Sequence, residues 1–118
     1  MAKPAKRPKR GEVWWVDLDP VRGHEQGRTR PCLVVSMDEF NAIPHGLCWV
    51  APITSNLTRH SFTVEVRPPE GGLKNRSMIL CHQLRTISID RLARRGGRVS
   101  DRTLKDVLAP VGLILGFG

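Results

Sequence analysis

The fold of this chain is decided by one stretch near its N-terminus, which reads Gly11-Glu12-Val13-Trp14-Trp15-Val16-Asp17-Leu18-Asp19-Pro20. Trp14, Val16 and Leu18 fall on one face of an extended chain, because successive side chains of a strand point to opposite faces. The pattern therefore predicts a β-strand. Pro20 ends this strand, since proline has no N–H to donate to a neighbouring strand.

A polar connection follows the strand and carries two glycines and three arginines between residues 20 and 30. It is long for a link between two strands of a small domain, and such loops are usually functional or disordered. Pro31 closes the loop. Judged by composition only, a solvated loop of mixed charge is the more frequent explanation, but this is also the first region in which to look for a site.

Further short strands are predicted by apolar and alternating runs over residues 32–36, 47–53, 62–66 and 77–81. The stretch 83–89 is less regular and fits a helical turn that leads into another short strand. The chain of 118 residues has room for one domain with one core.

A single helix is predicted at the C-terminal end, where Ser100 is a typical N-cap. Apolar residues then recur at helical spacing: Leu104, Val107, Leu108, Val111 and Leu115. Pro110 and Gly112 are poor helix residues, so we expect a kink or an early end there. Five or more short strands followed by one helix predict a mainly β protein built as a small, strongly bent barrel.

The formal net charge is +8, and five cations with no acid lie within residues 1–10. We predict a disordered basic arm over residues 1–10 and a folded domain over residues 11–118. In the domain, fourteen Lys and Arg residues face eleven acids, and twelve of the fourteen are Arg. Arginine suits bidentate phosphate recognition, so this balance favours a nucleic-acid partner without establishing one.

The three cysteines, Cys32, Cys48 and Cys81, each lie in an apolar run and predict buried free thiols in a reducing compartment. No Cys-x-x-Cys pair is present, so we expect no metal site and no cofactor. No run of eighteen apolar residues is present, and the N-terminus lacks the pattern of a signal peptide. We therefore expect a cytoplasmic protein without a membrane partner.

The polar loop brings a carboxylate, Glu25, close in sequence to Arg28 and Arg30, with His24 alongside. RNA can be cleaved without a metal ion when its own 2′-hydroxyl attacks the adjacent phosphate. A protein that assists must take the hydroxyl proton, stabilise the anionic phosphorane and protonate the departing 5′-oxygen. A carboxylate, an arginine and one further polar group are sufficient for this.

Two other groups of residues allow more than one interpretation. An arginine run, Arg91, Arg94, Arg95, Arg98 and Arg102, fits either a path for a phosphate backbone or a solvated face. The tryptophans Trp14, Trp15 and Trp49 can stack on bases, but we expect them in the core, where strand tryptophans are more often found.

Taken together, the motifs of this chain resemble those of the MazF/PemK toxins. They occur in the same order and extend over residues 10–116. The opening stretch is followed by Gly23-His24-Glu25-Gln26-Gly27, Arg30-Pro31-Cys32-Leu33-Val34-Val35, Val50-Ala51-Pro52-Ile53-Thr54-Ser55 and His82-Gln83-Leu84-Arg85-Thr86-Ile87, then Arg91-Leu92. Each fragment is weak, but the ordered set is specific.

The resemblance implies a small SH3-like barrel of the CcdB/PemK toxin type that pairs as a homodimer. It also implies the toxin of a type II toxin–antitoxin system, which a cognate antitoxin protein blocks. Such a toxin is an mRNA interferase: it cuts single-stranded RNA at selected sequences, without a metal ion, and leaves a 2′,3′-cyclic phosphate and a 5′-hydroxyl.

The resemblance also implies roles for individual residues. Arg30 is expected to stabilise the phosphorane and Thr54 to hydrogen-bond the scissile phosphate. Glu25 is expected to transfer a proton or to position Arg30. Contacts with RNA are expected from Arg28, Ser55, His82, Gln83 and Arg85.

One departure concerns the family pattern Cys-Asp-Gln, which here reads Cys81-His82-Gln83. Histidine also transfers protons near neutral pH, but it carries the opposite charge when protonated, so the aspartate's role does not pass to His82. Two alternatives stay open: a non-catalytic toxin of the same fold that inhibits DNA gyrase, and a barrel that binds RNA or DNA without cutting it.

Overall fold

The computed structural model describes residues 6–19, 23 and 28–117, and seven strands lie within them. The strands are β1 (Glu12–Asp17), β2 (Thr29–Val34), β3 (Leu47–Thr54), β4 (Thr63–Val66), β5 (Ser77–Leu80), β6 (Arg85–Ser88) and β7 (Leu92–Arg98). Two helices, α1 (Asp38–Asn41) and α2 (Asp101–Ile114), and 3₁₀ turns at Glu70–Gly72, Cys81–Gln83 and Ile89–Arg91 complete these elements. The predicted mainly β fold with a C-terminal helix is confirmed.

All pairings between these strands are antiparallel, in the order β4-β5-β3-β2-β1-β7, with β6 also paired to β3. The strand β3 belongs to both halves of the sheet. Its pairing with β2 ends at Cys32 and Pro52, and its last two residues, Ile53 and Thr54, pair with β5 instead. Beyond Pro52, β3 therefore leaves β2.

Buried side chains form one cluster on each face of this bent sheet. The first cluster contains Val13, Leu33, Val35, Ala51, Ile53, Val66, Leu73, Ile79, Cys81, Val99, Val107 and Val111. The second cluster contains Val16, Leu18, Cys32, Val34, Cys48, Val50, Ile87 and Leu92. Helix α2 covers the first cluster, whereas the second lies between the strands themselves. The three cysteines are free and buried, as predicted.

The tryptophans divide between core and surface. Trp14 packs against the second cluster, as its side of the alternating pattern predicted. Trp15 is half-buried, and Trp49 is 37% exposed. The prediction of a core position is therefore wrong for Trp49 and only partly right for Trp15, because alternation turns both side chains away from the second cluster.

Helix α2 begins where the sequence predicted, with the Ser100 hydroxyl accepting a hydrogen bond from the N–H of Thr103. Such a cap stabilises a helix by about 1 kcal/mol. The expected early end does not occur, since the helix continues through Pro110 to Ile114. Val107 and Val111, on either side of this proline in sequence, are both buried in the first cluster and hold the helix on the sheet.

Residues 6–10 of the basic arm make hydrogen bonds with the folded domain, and residues 1–5 lie outside the described residues. The N–H of Arg10 donates to Asp38 Oδ1 at 2.7 Å, and its Nε donates to the Val35 carbonyl at 2.8 Å. The Pro8 carbonyl accepts from the buried Asn41 side chain. This part of the arm therefore lies against the barrel.

Strand β7 was not predicted, because its residues combine arginines with Gly96 and Gly97 and show no apolar alternation. It pairs with β1, and the turn at Glu70–Gly72 packs directly on it. A Cβ atom at Gly97 would lie 2.7 Å from the backbone of Gly71 and Gly72, so the glycine permits this close approach. In the described part of the chain, no helix is long and apolar enough to cross a membrane.

Candidate functional site

A cleft opens where β3 leaves β2, with a volume of about 540 Å³. One wall is the start of β2 with the preceding Arg28, and the other is the end of β3 with residues 72–77. The lining residues are Trp15, Arg28, Thr29, Arg30, Pro31, Ile53, Ser55, Gly72, Leu73, Lys74, Asn75, Ser77 and Arg94. The break in strand pairing is thus the origin of the cleft.

The charge of this cleft has one sign. Arg28, Arg30, Lys74 and Arg94 line it, and no acid is present among its described lining residues. Cations gathered in a concave surface raise the local concentration of anions, because field lines are focused there. The cleft is therefore suited to an anionic ligand, and its arginines are suited to phosphate.

Arg30 and Thr54 leave the sheet on the same face. Arg30 lies two residues before Cys32 on β2, and Thr54 lies two residues after Pro52 on β3. Cys32 and Pro52 are cross-strand partners, and side chains two residues apart share a face. The two side chains therefore lie on one face of the sheet, near the point where β3 leaves β2.

A second arginine, Arg85, lies on β6 and is not among the lining residues of the cleft. Its partner across the sheet is Val50 of the second cluster, and its Nη1 donates to the Leu18 carbonyl at 3.4 Å. Burial raises the pKa of Cys32 to about 12, while the charges of Arg85 and Arg30 act in the opposite direction. Both guanidinium groups therefore lie near the Cys32 thiol, which stays protonated and is not a nucleophile at neutral pH.

The two ends of the polar loop are tied together. Leu18 and Arg28 share a backbone hydrogen bond of 3.0 Å, and the Arg28 N–H donates to Asp19 Oδ1 at 2.8 Å. Arg91 donates to the carbonyls of Asp17 and Asp19. Arg28 adopts a positive φ of 62°, which turns the chain into β2. The base of the loop is thus set by backbone contacts that two arginine side chains, Arg85 and Arg91, reinforce.

Thr54 is half-buried at the end of β3, and its hydroxyl accepts a hydrogen bond from the N–H of Asn56 at 3.1 Å. The neighbouring Ile53 and Ser55 both line the cleft. This contact orients the Thr54 oxygen and leaves its proton available to donate to an anion.

Of the predicted site residues, Arg28, Arg30 and Ser55 line one cleft, whereas Thr54 is not among its lining residues. Glu25, together with His24, lies outside the described residues. Among those residues, no group of three His, Cys, Asp or Glu side chains is arranged to hold a metal ion.

The structure does not bring His82 to the cleft. It lies in the turn Cys81–Gln83, and its ring is 4.6 Å from the His60 ring. It lies four positions after Met78, the partner of Thr54, and is not among the lining residues of the cleft. Burial and the nearby His60 lower the pKa of His82, which favours the neutral ring. Gln83 lies in the same turn.

Lys74, Asn75 and Ser77 were missed by the sequence analysis, as was the position of Trp15 and Arg94 in the cleft. The Gly71-Gly72 pair was visible, but its packing on Gly97 joins positions 25 residues apart in sequence. That contact, which places Lys74 at the cleft, has no local signal.

Comparison with known proteins identifies relatives over almost the whole chain. The family described as PemK-like, MazF-like toxin of type II toxin–antitoxin system matches residues 9–115. Endoribonuclease MazF9 of Mycobacterium tuberculosis is 41% identical over 97 residues, covering 78% of this chain and 82% of the relative. Endoribonuclease PemK of Escherichia coli is 38% identical over 112 residues, covering 91% and 81%.

The fold is shared with solved structures. A crystal structure of MazF from Deinococcus radiodurans matches with a TM-score of 0.82 and 28% identity, covering 94% of this chain and 98% of that one. A MazE–MazF structure from the same organism matches with a TM-score of 0.78 and 24% identity, covering 96% and 99%. Motifs, fold and relatives agree, and the chain belongs to the PemK-like, MazF-like toxins of type II toxin–antitoxin systems.

Proposed function

We propose that this chain is an endoribonuclease toxin that cuts single-stranded mRNA at the cleft between β2 and β3. The observation that carries the proposal is the position of Arg30 and Thr54 on one face of the sheet, beside a cleft lined by four cations and no described acid. Its relatives at 38–41% identity are named endoribonucleases, which supports the same activity here.

In the proposed reaction, the 2′-hydroxyl of the RNA attacks the adjacent phosphorus, and the bond from phosphorus to the 5′-oxygen breaks. Arg30 donates to the phosphorane oxygens, where negative charge grows, and a fixed donor of this kind is worth about 10²–10³ in rate. The Thr54 hydroxyl donates a hydrogen bond to the same phosphate. The departing 5′-oxygen takes a proton from water, so that the products are a 2′,3′-cyclic phosphate and a 5′-hydroxyl, and no metal ion takes part.

The remaining predicted residues are proposed to assist. Glu25 accepts the 2′-hydroxyl proton or positions Arg30, and Arg28 and Ser55 contact the RNA in the cleft. Arg85 acts by holding the base of the loop at Leu18. His82 and Gln83 can contact the RNA only if the RNA strand extends beyond the cleft.

The proposed partners follow from the family. A cognate antitoxin protein is supported by the MazE–MazF structure from Deinococcus radiodurans, whose fold this chain shares. We also propose that the chain forms a homodimer and acts in the cytoplasm, where mRNA is present. A sedimentation mass near 13.2 kDa at micromolar concentration would contradict the dimer.

The test is to incubate the purified protein with a long RNA in EDTA and to map the 5′ ends of the products. We expect cuts at a recurring short sequence, with 5′-hydroxyl ends that accept a linker only after phosphorylation. RNA that is bound but stays intact would instead identify a non-catalytic binding protein. Intact RNA together with trapped gyrase–DNA complexes would identify a gyrase inhibitor.

A further inference from the structure

Three side chains form a row across the floor of the cleft. Trp15 on β1 is paired with Pro31 on β2 on one side and with Arg94 on β7 on the other. The Arg94 Cζ atom lies 4.7 Å from the centre of the Trp15 ring, so the guanidinium group rests over the indole. This row extends the cleft from the Arg30 wall to the last strand of the sheet.

Arg94 differs from the other arginines of its run in what its N–H groups contact. Arg91 donates to the carbonyls of Asp17 and Asp19. Arg95 Nε lies 2.5 Å from Glu12 Oε2.

The last two members of the run are also engaged. Arg98 contacts Asp101 and the Arg10 carbonyl, and Arg102 contacts Asp106. For Arg94, by contrast, no described residue accepts a hydrogen bond from the guanidinium group, which instead contacts the face of the Trp15 ring.

A guanidinium group stacked on a ring keeps its hydrogen-bonding capacity. Its five N–H donors lie in the plane of the group, whereas the contact with the ring uses the face. Trp15 therefore restricts the orientation of Arg94 without consuming its donors. Lys74 and Asn75 line the same cleft, and no described acid there competes for the charge.

We propose that Arg94, held by Trp15, binds a phosphate that flanks the scissile one and so sets how the RNA strand lies in the cleft. This rests on the proposed endoribonuclease function. Arg94 and Arg30 both line the cleft, and the backbones of their strands, β7 and β2, lie two strand spacings, roughly 9.6 Å, apart. An RNA strand bound by both arginines presents one phosphate to Arg30 and a neighbouring phosphate to Arg94. Arg94 is thus a binding residue and Trp15 a positioning residue.

The test measures binding rather than cleavage, with an oligoribonucleotide that carries a 2′-deoxy sugar at the mapped cut. Its affinity is followed over a range of salt concentrations. Loss of one phosphate contact on single-stranded RNA lowers the slope of log K against log salt by about 0.7. We expect this decrease for Arg94→Ala and for Arg94→Gln. Arg102→Ala, which removes an equal charge from the exposed face of α2, keeps the wild-type slope.

A second arm locates the phosphate. A neutral methylphosphonate is placed at each flanking position in turn. At one position, the methylphosphonate should lower the affinity of the wild-type protein for the oligonucleotide. The same methylphosphonate should cause no further loss of affinity in Arg94→Ala. Trp15→Leu, which keeps Arg94 but removes its support, should give a smaller loss of affinity that is not additive with Arg94→Ala.

Two results would overturn the inference. One is a wild-type salt slope for Arg94→Ala. The other is a loss of affinity that does not depend on salt or on any methylphosphonate, which would mean that Arg94 stacks on a base. The proposed function fails separately, if the all-ribose version of the same oligonucleotide is not cut by the wild-type protein.

Discussion

Two arginine-rich regions of this molecule differ in how their charge is used. In the first, Arg59, Arg67 and Arg76 all contact one carboxylate, Glu65 on β4. In the second, the cleft, four cations line one concave surface, and no acid is present among its described lining residues. Both regions are basic in the sequence, but only the second gathers its charge in a concave surface.

The difference shows that arginine content is a poor guide to a nucleic-acid site. A cation whose donors are engaged by a neighbouring carboxylate adds little to phosphate binding, because its hydrogen bonds are already made. The arginine run 91–102 makes the same point, since only Arg94 turns a guanidinium group into the cleft. The predictions below separate these two uses of arginine.

The largest effect is expected when the cleft loses Arg30. Arg30→Ala should slow single-turnover cleavage by about 10²–10³, as for other fixed donors to a developing anion. Arg67→Ala, which removes an exposed arginine beside Glu65, should cut RNA within about twofold of the wild-type rate. Equal rates for the two variants, with both melting as the wild type does, would refute the assignment of the cleft.

Thr54 is expected to contribute less than Arg30. Thr54→Val keeps the shape of the side chain but removes the hydroxyl, and a hydrogen bond to a charged group is worth about 1.5–3 kcal/mol. Single-turnover cleavage should therefore slow by roughly 10–100-fold. Thr54→Ser keeps the hydroxyl and should restore most of the rate; if both variants are equally slow, the hydroxyl is not the active group.

A substitution at Gly97 is expected to have a smaller effect on the rate of RNA cleavage and to lower the stability of the protein. A Cβ atom there would lie 2.7 Å from the backbone of the turn that carries Lys74 to the cleft. Gly97→Ala should cost about 1–3 kcal/mol in the free energy of unfolding, as overpacking does, and should weaken RNA binding.

Gly96→Ala is the matched control for Gly97→Ala, because its nearest contact, Gly71 O, would be 3.2 Å away. Urea denaturation of both variants provides the comparison. The packing argument is wrong if Gly96→Ala proves the more damaging of the two.

The smallest effect on cleavage is expected at Glu65. Hydrogen bonds from Arg67 and Arg76 and the charge of Arg59 lower the pKa of Glu65 to about 2. A lowered folded pKa stabilises the protein above the ordinary carboxyl value of about 4.5 and ceases to do so as the pH falls towards 2.

Glu65→Gln should therefore lose stability relative to the wild type at pH 6 and little at about pH 2, with cleavage unchanged at neutral pH. Thermal melting of both proteins over this pH range measures the difference in stability. A difference between the two proteins that grows as the pH falls would contradict the assigned sign, and high salt should reduce the effect, because these ion pairs are exposed.

Much of the fold could be predicted from the sequence, because local patterns specify it. Alternation on β1, short apolar runs and the Ser100 cap identified six regions that the structure also contains. Strand β7 was missed, because its residues 92–98 are held by pairing with β1 and by contact with the Gly71-Gly72 turn. No alternation within those residues reports either contact.

The site divides in the same way. Arg30 and Thr54 were found through motifs that extend along the chain, and the structure places them on one face of the sheet, near the point where β3 leaves β2. Lys74 and Arg94 reach the cleft through contacts between distant segments. Arg85 carries the same charge as both, but the structure places its guanidinium near the Leu18 carbonyl, which only three-dimensional geometry could reveal.

The central claim is that the RNA's own 2′-hydroxyl performs the attack, with Arg30 stabilising the phosphorane. The most direct measurement compares two oligonucleotides in EDTA, identical except for a single 2′-deoxy sugar on the nucleotide 5′ to the mapped cut. We predict cleavage of the all-ribose strand to a 2′,3′-cyclic phosphate and no cleavage of the other. Cleavage of both at the same rate would show that a different nucleophile attacks and would contradict this mechanism.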